Sequence, residues 1–116
     1  MIDKELYQKH ETPNAVMHTL AAPSTGASEL AVWTVEMRAG QAGPAHRAEH
    51  EQIWVVLEGT LAINGAEHRA GETVVVAAHA ERQIVAPADV RALVASRGGG
   101  TVTTAAEGSR PLPWAA

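Results

Sequence analysis

The sequence has no cysteine, no phenylalanine and a single tyrosine among its 116 residues. The absence of cysteine excludes disulfides and thiolate ligands, so any bound metal must be held by histidine, carboxylate, amide or water. The scarcity of aromatic residues leaves valine, leucine, alanine and three tryptophans to fill the core. Trp33 and Trp54 are therefore expected to supply much of its volume.

Positive charge and long apolar runs are also scarce. Nine basic residues stand against thirteen acidic ones, and there is no basic stripe, which argues against a nucleic-acid partner. The longest apolar runs, residues 53–57 and 74–78, are far shorter than the ~20 residues of a membrane helix. The N-terminal residues Met-Ile-Asp-Lys-Glu lack a basic-then-apolar signal pattern. We therefore expect a cytoplasmic protein with no membrane partner.

The apolar residues recur with a period of two and are interrupted by glycine and proline, which is typical of β-strands. No segment sustains a helical period, so the chain is predicted to be all-β, in one domain over residues 1–116. Its core is expected at about 15–96, with a C-terminal tail at 97–116 that is either tied down by Trp114 or mobile. Asn64-Gly65 predicts a tight hairpin. Strands are predicted at 29–38, 46–57, 60–63, 66–70, 73–77, 82–86 and 90–95.

One segment of the sequence carries most of the candidate chemistry. His46, His50 and Gln52 lie close together at the start of an apolar strand. Because side chains alternate along an extended chain, all three can project to one side. Two imidazoles and an amide that converge on one point suit a metal site or an acid–base site. The alternative is that His50, between Glu49 and Glu51, is a solvated loop residue.

The same segment resembles the first motif of the cupin family of small β-barrels, and the similarity extends over about residues 29–96. That motif begins and ends with glycine and contains two histidines and a glutamate. Here Gly40, His46 and Gly59 match, Ala48 replaces the second histidine, and Gln52 stands at the glutamate. In the second motif a glycine matches and four positions differ: Gly71 is kept, and Ala77, His79, Arg82 and Ala86 replace Pro, Gly, His and Asn.

The resemblance implies a cupin antiparallel β-barrel, a jelly-roll-like double-stranded β-helix, with one divalent metal inside it. Carried over by position, His46 and Gln52 are retained ligands, and Ala48 and Arg82 are losses. His50 would supply the missing imidazole if the strand is slightly bulged. The set His46, His50 and Gln52 suits zinc, iron, manganese, nickel or copper. A metal-free site stays equally open.

Arg82 bears on both versions of the site. A guanidinium stays protonated and cannot ligate a metal, so an inward Arg82 would repel a cation. Either a metal has three protein ligands, or Arg82 replaces its charge and binds an anionic substrate. The alternative is a surface arginine paired with Glu81 or Asp89. Because its position matches an inward ligand, we predict a pocket role.

Parity along the strands predicts what surrounds the site. Trp33, Met37 and Trp54 have the parity of barrel lining and are candidate substrate contacts, with plain core packing as the alternative. The residues of opposite parity on the second of these strands are also apolar: Ile53, Val55 and Leu57. A strand that is apolar on both faces predicts a second covering layer. We expect that layer to be another copy of the chain, which gives a homodimer, with core packing inside a monomer as the alternative.

These features predict a cupin enzyme acting on a small polar carbonyl or carboxylate metabolite in the barrel pocket. His46 or His50 would move a proton, and a metal or Arg82 would stabilise the developing oxyanion. Isomerisation, cyclisation, elimination and decarboxylation fit these groups. The alternative is a non-catalytic, metal-free cupin that binds or senses a small ligand. Oxygenase chemistry is disfavoured because two of the four expected ligands are absent.

Overall fold

The computed structural model describes residues 2–116, except for the side chain of Leu6. Three short 3-10 turns, Lys4–Leu6, Pro23–Thr25 and Pro113–Ala115, accompany the strands, and no helix among the described residues could cross a membrane. Twelve strands account for the remaining regular structure: β1 Gln8–Glu11, β2 Val16–Ala21, β3 Leu30–Met37, β4 His46–Ala48, β5 Gln52–Glu58, β6 Thr60–Ile63, β7 Ala66–Arg69, β8 Thr73–Val76, β9 Ile84–Val85, β10 Val90–Arg97, β11 Thr101–Thr104 and β12 Gly108–Pro111.

The strands form one six-stranded sheet, in the order β1-β2-β3-β10-β5-β8, and two three-stranded sheets, β12-β11-β4 and β7-β6-β9. Their pairings are antiparallel. Sequence-distant strands lie side by side, because β10 pairs with both β3 and β5. The all-β character that the period of two predicts is confirmed, and the antiparallel pairing agrees with the barrel that the motif resemblance implies.

Two turns explain where the strands around the barrel end. Asn64 and Gly65 both have positive φ, 51° and 84°, and they join β6 to β7 in the predicted hairpin. Gly59 has φ +79°, and a Cβ there would lie 1.8 Å from the backbone oxygen of Asp89. Only glycine can therefore occupy the junction between β5 and β6.

The extended segment predicted at 46–57 is interrupted. Residues 46–48 form β4, residues 49–51 form a bend, and β5 begins at Gln52. The two strands belong to different sheets, since β4 pairs with β11 and β5 pairs with β10 and β8. A chain that changes sheets must turn, and the turn breaks the alternation of side chains at His50.

The C-terminal residues form part of the barrel. Strand β11 pairs with β4, placing Thr104 opposite His46 and Val102 opposite Ala48. The Thr19 hydroxyl donates to the Trp114 carbonyl at 2.7 Å, and the Trp114 ring meets His10 edge-on with centroids 6.3 Å apart. Leu112 and Ala115 are buried in the hydrophobic core. Trp114 and its neighbours thus fasten this segment to β1 and β2.

Candidate functional site

A cavity of about 370 Å³ lies inside the barrel. Its wall is mainly apolar and includes three tryptophans and two methionines. Pockets of this size and composition commonly hold small molecules and use a few polar groups to orient them. The lining residues that bear on function are His46, Gln52, Trp33, Trp54, Trp114, Met17, Met37, Ala48, Thr104, Glu107 and Arg110.

His46 lies at the start of β4 and is directly opposite Arg82. Their backbones exchange two hydrogen bonds, His46 N–H to Arg82 O and Arg82 N–H to His46 O, each 2.8 Å long. Directly paired residues of an antiparallel ladder project to the same face. The imidazole of His46 and the guanidinium of Arg82 therefore share one corner of the barrel.

The local contacts of His46 set its tautomer and charge. Its Nδ1 lies 3.0 Å from the Pro44 carbonyl oxygen; a carbonyl can only accept, so Nδ1 carries the proton. Burial lowers the pKa of His46, the Pro44 carbonyl opposes this shift, and the charge of Arg82 lowers the pKa further. At neutral pH the ring is therefore uncharged, with Nε2 as a free lone-pair acceptor.

Gln52 is buried, with 5% of its surface exposed, and its amide is held in one orientation. The Trp54 indole N–H donates to Gln52 Oε1 at 3.0 Å, and Arg82 Nη1–H donates to the same oxygen at 3.2 Å. Both neighbours can only donate, so the accepting atom must be the oxygen. No described residue makes a hydrogen bond with Gln52 Nε2, and Gln52 is part of the cavity wall. Gln52 thus presents N–H donors to a bound molecule.

Arg82 is sealed inside the protein, with 0% of its surface exposed. Besides Gln52, it donates from Nε to the Ala80 carbonyl at 3.0 Å and from Nη2 to the Ala77 carbonyl at 2.9 Å. Burial lowers the pKa of the guanidinium, which nevertheless stays protonated at neutral pH. No described carboxylate forms an ion pair with it. Arg82 lies behind Gln52 and is not part of the cavity wall.

The structure does not bring His50 to this corner. Its side chain is 27% exposed, and its Nε2 lies 3.6 Å from the Glu49 carboxylate. The ring packs against Gly100, where an added Cβ would stand 2.7 Å from Cδ2. The bend at residues 49–51 turns His50 away from the face that His46, Ala48 and Gln52 share.

Trp33, Met37 and Trp54 line the cavity, at the parity from which they were predicted. Sequence reasoning did not assign the far wall, which comes from Met17 and from Leu112, Trp114, Glu107 and Arg110 near the C-terminus. Glu107 and Arg110 form an ion pair of 2.6 Å and are largely exposed, so they lie where the cavity meets solvent. The signal for this wall was Trp114, the one aromatic residue of the segment 97–116.

The divalent metal implied by the motif was tested against these residues. The corresponding positions offer one imidazole, the methyl group of Ala48, an amide oxygen occupied by two N–H donors, and a guanidinium. Among residues 2–116 there is no cluster of three or more His, Asp or Glu side chains that could hold a metal ion. A buried guanidinium beside the site would repel a cation. This donor set does not fit a divalent metal.

No protein-family model matches the sequence, and no curated protein matches it. Solved structures do match. The polyketide cyclase RemF from Streptomyces resistomycificus superposes with a TM-score of 0.71 at 20% identity, over 84% of this chain and 78% of RemF. An RmlC-like cupin from Shewanella frigidimarina gives 0.70 at 20% identity, over 84% of this chain and 88% of that one.

Oxalate decarboxylase from Bacillus subtilis, a protein with Mn(II) centres, gives a TM-score of 0.73 at 11% identity. The match covers 83% of this chain and 28% of the decarboxylase. At these identities the similarity concerns the fold. The chain therefore has the antiparallel barrel fold of the RmlC-like cupins, which confirms the fold that the motif predicted.

Proposed function

We propose that the protein is a small-molecule cupin enzyme that moves a proton next to a carbonyl group, as an isomerase, cyclase or lyase. One observation carries the proposal. His46, neutral and with Nε2 free, lines the same apolar cavity as Gln52, whose oxygen is occupied and whose N–H groups are open. An acceptor and a donor in one mainly apolar pocket suit a carbonyl group with an acidic C–H bond beside it.

The chemistry follows from these two side chains. His46 Nε2 takes a proton from the carbon next to the carbonyl; the C–H electron pair becomes the new C=C bond, and the C=O π pair moves onto the carbonyl oxygen. The Gln52 N–H groups hold the resulting enolate oxygen. Protonated His46 then returns the proton to another carbon in an isomerisation. In an elimination the enolate expels a leaving group from the β carbon; in a cyclisation it attacks a second carbonyl.

The cavity also narrows the substrate class. The sequence predicted a small polar metabolite, whereas the wall is dominated by Trp33, Trp54 and Trp114 together with methionine and aliphatic side chains. Charged side chains enter the lining only at the solvent side, through Glu107 and Arg110. The substrate is therefore expected to carry its carbonyl on an apolar, flat body that packs against the indole rings.

Proton abstraction can be tested before the physiological substrate is known. Acetophenone is a flat ketone with exchangeable methyl protons, and their replacement by deuterium in D₂O is followed by NMR. The protein is expected to accelerate this exchange, and His46→Gln is expected to slow it by about 10²–10⁴-fold. His68→Gln, on β7 outside the cavity, is the matched control. Exchange that depends on His50→Gln instead would contradict the assignment of the base to His46.

A non-catalytic binding protein is the second candidate, and one observation favours it. Among the described residues that line the cavity there is one histidine, His46, and one carboxylate, Glu107, which is held at the rim by Arg110. Acetophenone that binds, as measured by calorimetry, without any His46-dependent exchange would establish this alternative.

We also propose that the protein forms a homodimer through the outer face of the six-stranded sheet. Cross-strand neighbours make an apolar row across β8, β5, β10 and β3: Val75, Ile53, Ala95 and Val32. Val75 is 62% exposed and Ile53 39%. A continuous apolar face of this kind is rarely left bare.

The dimer is tested by sedimentation equilibrium on three proteins. The wild type is expected to be dimeric, Val75→Lys monomeric, and Glu67→Lys, on a different sheet, dimeric. Val75 is exposed in the monomer, so its replacement should leave the barrel folded. A wild type that stays monomeric at high protein concentration would refute the dimer.

A further inference from the structure

We propose that Arg82 takes the electrostatic place of a metal in this barrel, as a sealed cation that fixes Gln52 so that its N–H groups face the cavity. In this role Arg82 is a positioning residue, because it touches Gln52 and not the space where a ligand lies. The inference rests on the proposed function for its chemical purpose. Its geometry can be tested without any turnover.

Two separate hydrogen bonds fix the orientation of the Gln52 amide. Turning the amide over would set its NH₂ group against the Trp54 indole N–H and the Arg82 Nη1–H, which are both donors. Two buried hydrogen bonds would be lost, one of them charge-assisted. The oxygen is thus unavailable as a ligand, and the amide is polarised by a positive charge on its oxygen side. That polarisation strengthens the N–H groups as donors.

The charge of Arg82 has no described anionic partner, so its field extends into the surrounding protein. The guanidinium is satisfied by the oxygens of Ala77, Ala80 and Gln52, which are all neutral. It shares a strand pair with His46 and favours the neutral form of that ring. The same field disfavours a divalent cation at this corner and stabilises negative charge that develops there during a reaction.

The placement also separates two substrate classes. A carboxylate seeks a bidentate contact with a guanidinium, but Arg82 is sealed behind Gln52 and cannot make that contact. A neutral carbonyl oxygen needs only an N–H donor and gains most when it becomes an enolate. A carboxylate can therefore gain only from the field of Arg82 and the Gln52 N–H groups, as an enolate does, and not from the direct guanidinium contact expected from the sequence.

The decisive variant is Gln52→Glu. A carboxylate would still accept from Trp54 and Arg82 and would give Arg82 a counter-charge, so the melting temperature is expected to stay equal or rise. It has no N–H groups, so the exchange of acetophenone protons is expected to fall by about 10²–10³-fold. When zinc or manganese is added to the Gln52→Glu protein and the excess is dialysed away, elemental analysis should find no stoichiometric metal. A Gln52→Glu protein that binds stoichiometric metal and keeps or gains activity would overturn the proposal.

Arg82→Met and Arg82→Lys test the positioning directly. The readouts are the NMR cross-peaks of the Gln52 NH₂ group and the Trp54 indole N–H. Arg82→Met is expected to shift and broaden the Gln52 signals, and Arg82→Lys, which keeps the charge, is expected to restore part of the wild-type pattern. Unchanged Gln52 signals in folded Arg82→Met would contradict the proposal. If Arg82→Met does not fold, Gln52→Glu still decides.

Ligand preference completes the test. Benzoate is the carboxylate that matches acetophenone in shape, and the two are compared by calorimetry on the wild type. Tighter binding of benzoate that disappears in Arg82→Lys would show direct anion recognition and refute the positioning role. If the wild type exchanges no probe but the Gln52 signals respond to Arg82, the proposed function fails and the positioning role stands.

Discussion

Strand β5 places Trp54 and Val56 on the face that looks into the barrel, and Ile53 and Leu57 on the face that looks out of it. The inward pair is 5% and 0% exposed, whereas the outward pair is 39% and 37% exposed. Both faces are apolar, so hydrophobicity alone does not tell them apart. The difference is that the chain itself covers the inward face and leaves the outward one open.

The two faces also treat polar groups differently. On the inward face Gln52 is buried, with both neighbours of its oxygen fixed by hydrogen bonds. On the outward face the charged residues lie at the margin, where Arg91 meets Glu36 at 3.6 Å with both side chains largely exposed. Inside, the oxygen of Gln52 has two fixed hydrogen-bond donors at the candidate site; outside, charged side chains border an apolar surface suited to a second copy.

The largest expected effect comes from emptying the inward face. Trp33 is 1% exposed and Leu30, on the same strand, is 63% exposed. Trp33→Ala should lower the free energy of unfolding by about 3–5 kcal/mol, because it removes transfer energy and leaves a void. Leu30→Ala should change it by less than about 0.5 kcal/mol in the monomer. Urea denaturation measures both.

If Trp33→Ala and Leu30→Ala lose equal free energy of unfolding in the monomer, the proposed difference between the inward and outward faces is wrong. A loss in Leu30→Ala that grows with protein concentration would instead report the proposed dimer.

A smaller effect should appear as pH dependence from the inward corner. The folded-state pKa of His46 is lowered, chiefly by burial, so the unfolded chain binds its proton first as pH falls. The contribution to stability is fully present above about pH 6.5 and is lost as pH falls through the folded pKa. The slope is at most about 1.4 kcal/mol per pH unit. The free energy of unfolding is measured against pH for the wild type and for His46→Gln. The difference between the two curves isolates the contribution of His46.

The same titration of His46 should be visible by NMR and in the rate of acetophenone proton exchange. NMR of the His46 ring should give a midpoint below the usual histidine value, and acetophenone exchange should rise with pH through that midpoint. A His46 midpoint above the usual value would mean that burial and Arg82 do not dominate at this corner.

The smallest effect on stability is expected at the rim of the cavity, where the inward face meets solvent. Glu107 and Arg110 form their ion pair at the cavity rim with 51% and 60% of their side chains exposed. Exposed pairs contribute little, so Glu107→Gln should change the free energy of unfolding by no more than about 0.5 kcal/mol. Arg110→Gln is the matched partner variant. A loss of unfolding free energy well above 1 kcal/mol would show that this ion pair contributes substantially to the stability of the barrel.

Much of the barrel could be predicted from alternation and turns. The inward parity of Trp33, Met37 and Trp54 and the Asn64-Gly65 hairpin are local properties, set by the two-residue period and by left-handed backbone. The extent of the long strand could not be predicted. Its two halves pair with β11 and β10, and pairing with different sheets is a long-range property that no local pattern records.

The site was predictable as a location and not as a mechanism. The motif positions predicted that His46, Gln52 and Arg82 are neighbours, and the structure places them at one corner. The direction of the Gln52 amide depends on the Trp54 indole, and the sealing of Arg82 depends on carbonyls of Ala77 and Ala80. Such hydrogen bonds exist only after folding, so residue types alone left a metal site and a metal-free site equally open.

The cavity wall joins Met17, near the start of the chain, to Trp114, near its end. A binding site of this kind exists only when both ends of the chain are in place, so a ligand cannot bind a partly folded barrel. Binding is then linked to global unfolding, and a ligand at 100 times its Kd should stabilise the whole domain by about 2.7 kcal/mol. A library of unlabelled compounds can therefore be screened by melting temperature alone, before any reaction is known.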